Sequence, residues 1–227
     1  MRRRRILKAL SMLAALCATA TALIGVMHTP AGLAAYARVF GGGCPVGRAD
    51  PAEVERGRRA SARALRGTLR APARPAFGFA LDVSTRRDLD RWIAQHGLSC
   101  RDRREHTLVL CTGVPSAALG REGPALDEVT FAFAPGAMSL VNLTAVRYRL
   151  APGAAVRHAG AVIDGLRVAL GTPSETVGVM EPASLSATDY ATAMVSYAFR
   201  DFIADVTATN IPGEGVLVRE HYMSAVD

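Results

Sequence analysis

Twice along the 227 residues a helix-patterned stretch is followed by hairpin-patterned strands, and this repetition limits the available folds more than any other feature. The first copy opens at Thr85-Arg86-Arg87-Asp88, a variant of the capping box. Leu89, Trp92, Ile93 and His96 then recur at helical spacing, and Gly97 ends the helix. A hairpin between Cys100 and Cys111 follows, with HTLVLC as one strand. The arms of a second hairpin, DEVTFAFA and MSLVNLTAVRY, are joined through Pro135-Gly136. Val129, Phe131 and Phe133 alternate, as a half-buried strand requires. The second copy opens with Ala155 to Gly171, where Val156, Ala159, Val162, Ile163, Leu166 and Leu170 share one side of a helix. Gly171 and Pro173 stop it. A polar loop with Ser174-Glu175 precedes three predicted strands: AMVSYAF, FIADVTAT after a turn at Arg200-Asp201, and VLVREHYMS after NIPGEG. The expectation is an α+β fold of two helix-then-antiparallel-meander units, following an N-terminal transmembrane or signal helix.

The N-terminus sets the compartment. Arg2 to Arg5 and Lys8 precede 19 uncharged residues, Ala9 to Met27. As a helix that run is about 28 Å long, close to the hydrocarbon thickness of a bilayer. The basic cluster favours a cytoplasmic N-terminus, which puts the remainder outside. The first expectation is an inner-membrane anchor through residues 9–27 with the C-terminal domain in the periplasm. A secreted or periplasmic product cleaved near Ala37, after Ala35-Tyr36-Ala37, is the alternative. A lipoprotein modified at Cys17 is disfavoured by the bulky Leu16, and a buried cytosolic helix by the four consecutive arginines. The implied organisation is a signal anchor or signal peptide at 1–28, a Gly/Arg/Pro-rich arm with one basic helix at 29–76, a stapled helix-plus-strands unit at 77–150, and a helix plus three-stranded meander at 151–227.

The formal charge of +7 is unevenly distributed. Residues 28–74 carry nine Arg against three acids, whereas residues 75–227 carry thirteen Arg against seventeen acids. The body is mildly acidic, which argues against a nucleic-acid groove binder. In the arm, Asp50-Pro51-Ala52-Glu53 starts a helix reaching about Leu65 or Leu69. Its stripe of Val54, Ala62, Leu65 and Leu69 is thin. A solvated stalk is favoured over a helix lying on anionic lipid, and APARPAFGF reads as an extended linker.

In an exported protein Cys100 and Cys111 read as a disulfide. Ligand spacing for a metal and the C-x-x-C of redox proteins are both absent. Closing this short loop stabilises by about 2–3 kcal/mol in the chain-entropy model. Cys44, among three glycines and a proline, is left as a possible intermolecular thiol joining a homodimer.

A helix ending Leu170-Gly171-Thr172-Pro173, then a loop and strands to about Met223, resembles the small domains of β-lactamase-inhibitor-protein-like and SmpA/OmlA-like envelope proteins. The layout also resembles exported or membrane-anchored proteins of high-GC bacteria. The resemblance implies an extracytoplasmic binding or assembly module with a concave sheet face and no catalysis. Its partner would be another envelope protein.

Short catalytic motifs are absent, and no catalytic residue, metal or cofactor is expected. His96 and His158 read as surface or core-edge residues. Asp201 and Asp205 read as partners for cross-strand ion pairs with Arg200 or Arg219. Tyr197, Phe199, Arg200, Phe202, Arg219 and Tyr222 cluster near the C-terminus and form the candidate binding face, with His221 beside them. The expected function is a non-catalytic envelope binding module. The alternatives are a hydrolase without a short motif, using Asp201 or Asp205, or a secreted enzyme inhibitor.

Overall fold

Why the helices start and stop where they do is legible in their end residues. The structure, a computed structural model, describes residues 50–226. Helix α1 runs Pro51–Leu65, and Asp50 caps it by accepting from the Ala52 amide. Helix α2, Arg86–His96, carries the full capping box between Thr85 and Asp88 and ends at Gly97 in the left-handed region. Helix α3 spans Pro152–Leu170, with its proline in the first turn and Gly171 after its end. A five-residue helix α4, Pro182–Ser186, lies in the loop that follows.

Eight strands make one antiparallel sheet: β1 Ser99–Arg103, β2 Leu108–Val114, β3 Leu126–Phe133, β4 Leu140–Leu150, β5 Glu175–Val177, β6 Thr192–Ala198, β7 Phe202–Ile211 and β8 Gly215–Ser224. Their order is β1-β2-β3-β4-β8-β7-β6-β5. Each helix is thus followed by a meander, and the last strands of the two meanders, β4 and β8, pair at the middle. The α+β, antiparallel expectation holds. Two elements occupy the stretch read as a polar loop: α4, and β5, which begins at Glu175. That strand is three exposed residues at the sheet edge, too short to show alternation in the sequence.

Register fixes the two faces. One row crosses the sheet as Tyr197, Ala204, Tyr222, Leu143, Phe131 and Val109. All six are buried in the main core with Leu89 of α2 and Ala155, Ala159 and Leu166 of α3. The neighbouring row, on the opposite face, runs Ser196, Asp205, His221, Thr144, Thr130 and Leu110.

The arm helix departs from the stalk expectation. Ala62 is buried with Ile203, Met223 and Ala225, so α1 packs on the second face of the sheet. Arg58 donates to the Ser224 carbonyl and to Glu55, which neutralises the one acid on the packed side. Leu65 and Leu69 of the predicted stripe stay outside, at 60% and 74% exposure. Nor is the following segment a free linker. Arg200 donates its amide to the Leu69 carbonyl, and the Ala71 amide donates to Asp201 Oδ1 at 2.9 Å. A Cβ at Gly67 would lie 2.3 Å from the Ala198 carbonyl oxygen, so only glycine permits this crossing. Phe77 then meets Tyr222 edge-on, and Phe79 meets Trp92 and Phe131. Residues 66–79 form a strap from one face of the sheet to the other.

Cys100 and Cys111 face each other across β1 and β2 and form a disulfide. Among the described residues no helix is long and apolar enough to cross a membrane. The expected anchor at 9–27, the cleavage site near Ala37, Cys17 and Cys44 lie outside the described residues.

Candidate functional site

The six residues expected to share a binding face are divided by the pleat. Tyr197, Phe202 and Tyr222 are buried in the helix-covered core, and Phe199 packs against it. Only Arg200, at the β6–β7 turn, and Arg219, on the second face, are exposed. The physical reason is alternation: inward Tyr222 is separated from outward Arg219 and His221 by odd numbers of residues. Asp201 is occupied by the strap, through the Ala71 amide and Arg70. Asp205 makes the expected cross-strand pair with Arg219 at 2.8 Å, and also meets His221 Nδ1 at 2.8 Å. Burial raises the Asp205 carboxyl, but His221 and Arg219 outweigh it and hold it below the usual range.

On the helix-covered face lies a cavity of about 450 Å³ between α3, the 75–77 stretch of the strap and the loop after β2. Phe77, Leu126, Val162 and Leu166 supply apolar wall. Arg121, Arg147, His158, Tyr222 and Ser116 supply the polar part, and Glu122 stands exposed at the rim. None of these five polar residues was singled out for binding except Tyr222. They come from four segments, the loop after β2, β4, α3 and β8, so no local motif announces them.

Their arrangement turns on Glu220, which is 1% exposed on β8. Its Oε2 accepts from an Arg121 Nη and, at 2.8 Å, from the Tyr222 hydroxyl. Arg121 also reaches the Tyr222 oxygen at 3.1 Å and stacks over the Phe77 ring at 4.1 Å. Glu220 Oε1 lies 3.3 Å from His158 Nε2, an ion-pair distance, yet neither atom has an aligned hydrogen bond. Burial pulls the Glu220 carboxyl upward. His158, Arg121 and Tyr222 outweigh that and keep it below the carboxylate range, so it is ionised. Burial and the adjacent carboxylate push the Tyr222 phenol far up, so it stays protonated and donates.

Arg147 is the second cation of the site and the buried one, 5% exposed on β4. Its Nη2 donates to Ser116 Oγ at 3.0 Å and to the Pro124 carbonyl, while its Nε has no partner. Burial lowers the basicity of this guanidinium, and Glu220 and Asp127 offset that only in part. Ser116 donates its own proton to the Pro124 carbonyl. The cavity therefore offers cationic donors and an aromatic-aliphatic wall, and its hydroxyls are already engaged.

Among the described residues no group of three or more His, Cys, Asp or Glu is placed to hold a metal ion. No family model, no curated protein and no solved structure matches this chain.

Proposed function

We propose that this protein is an extracytoplasmic, non-catalytic binding module, and that its recognition site is the cavity over Glu220. One observation carries this reading: a pocket of about 450 Å³ combines an apolar wall with a buried guanidinium, Arg147, and a half-buried one, Arg121. That volume lies in the range of small-molecule sites, about 300–1,000 Å³. Nucleophilic catalysis needs a nucleophile beside a base that can take its proton. Here Ser116 donates to a backbone carbonyl, Tyr222 donates to Glu220, and Glu220 is occupied by Arg121. Such groups hold a ligand rather than transform it. The disulfide between Cys100 and Cys111 and the basic, apolar leader support a site outside the cytoplasm.

The test is a fragment screen by ligand-observed NMR on the full chain and on Ala161→Phe. Ala161 is an exposed residue of α3 on the cavity lining, and a phenyl ring there occupies space that a ligand would use. Hits that vanish in the filled variant support the reading. Hits indifferent to the filling, or none, overturn it. A hit turned over by the wild type and not by His158→Ala would replace binding with catalysis.

A further inference from the structure

We propose that the ligand of this cavity is a small organic monoanion, a carboxylate on an apolar body, held by Arg147 and Arg121. The inference rests on the cavity being the recognition site, and it deepens that reading to a ligand class.

The argument starts from charge. Two guanidiniums, Arg121 and Arg147, meet at the cavity, and one buried carboxylate, Glu220, stands behind them. Glu220 is already engaged by Arg121, Tyr222 and His158. No carboxylate of the described residues comes within ion-pair distance of Arg147. Glu122, the one acid on the lining, and Asp127, which acts on Arg147 from farther off, are both exposed, where water screens them. A buried cation without a counter-charge is costly, and an anion entering the pocket supplies one.

Geometry narrows the class. Arg147 Nη2 spends its protons on Ser116 and the Pro124 carbonyl, and both of these orient the guanidinium. Its Nε–H is enclosed, so the donor open to a ligand is Nη1, which makes no hydrogen bond. A carboxylate oxygen there accepts a charge-assisted hydrogen bond. A carboxylate also needs fewer donors than the three oxygens of a phosphate monoester, which suits the few that remain. The remaining wall, Phe77, Leu126, Val162 and Leu166, is aromatic and aliphatic, so the body of the ligand is apolar.

The experiment titrates the full chain by calorimetry with three probes that share one body: 4-phenylbutyrate, 4-phenylbutan-1-ol and 4-phenylbutyl phosphate. If the chain fractionates with membranes it is used in zwitterionic nanodiscs, with empty discs subtracted. The expected result is that the carboxylate binds about tenfold or more tighter than the alcohol, the value of a charge-assisted hydrogen bond. Arg147→Gln brings the carboxylate and the alcohol to about equal affinity, while Ala161→Phe abolishes binding of both. The three probes on the wild type decide the matter even where Arg147→Gln fails to fold. Alcohol or phosphate binding as well as or better than the carboxylate, with loss in Ala161→Phe, overturns the carboxylate class and leaves the cavity reading intact. Binding by none, or binding untouched by Ala161→Phe, overturns both.

Discussion

Glu220 shows what a single buried charge can organise. It fixes Arg121 and Tyr222, and through them Phe77 of the strap. Glu220→Gln removes the charge and leaves the half-buried Arg121 without it. The loss is expected to be about 2–3 kcal/mol, less than for a fully enclosed pair because water reaches Arg121, read by urea unfolding at neutral pH. The pH dependence has a fixed sign. The folded carboxyl titrates below its ordinary value of 4.5, so its stabilisation is complete above that value and is lost as the pH falls through the folded one. The wild type should therefore lose stability below about pH 4.5, and Glu220→Gln should lose less over the same interval. Equal slopes would show that Glu220 is not ionised in the fold. At this scale the sequence was only partly readable. Alternation separates Tyr222 from Arg219 and His221, but it cannot say which set a helix covers. Composition drew attention to Tyr197, Phe202 and Tyr222 as contact residues, and their size is what makes them core. Arg147 and His158 carried no local signal, because what makes them notable is each other's neighbourhood.

Elements that announce their own ends were readable. The Thr85–Asp88 capping box, Gly97, Pro135-Gly136 and the Arg200-Asp201 turn all appear where local chemistry puts them. Elements that depend on distant partners were not. Helix α1 has a stripe too thin to predict docking, and it docks by burying Ala62 and folding Glu55 into a pair with Arg58. Strand β5 exists only because β6 offers it an edge. Two predictions belong here. Gly67→Val places side-chain atoms against the Ala198 carbonyl, which must move. Hydrogen exchange should then quicken in residues 51–71 before it does in β3, β4 or β8; unchanged protection would show that the strap tolerates a side chain there. Replacing both Cys100 and Cys111 by serine should lower stability by about 2–3 kcal/mol, the loop-closure value. A reduced wild type as stable as the oxidised one would remove the staple from the account.

For the whole molecule, the proposed export and the disulfide can be tested together. Intact mass after thiol blocking, on full chain made in a bacterium with an oxidising periplasm, should show Cys100 and Cys111 blocked only after reduction. Two free thiols at these positions in the native protein would contradict export. The pairing of β4 with β8 has a further consequence, for synthesis. The two central strands are the fourth and the eighth to be made, with α3 and three other strands between them. A chain that emerges from its N-terminus must hold β4 as a bare edge until β8 arrives, because no earlier strand closes it. During that interval the nascent protein is a half-sheet able to pair with any extended segment nearby, including the β4 of another emerging copy. Truncation inside β8 would make that interval permanent, so a short C-terminal deletion should aggregate rather than lose one local contact.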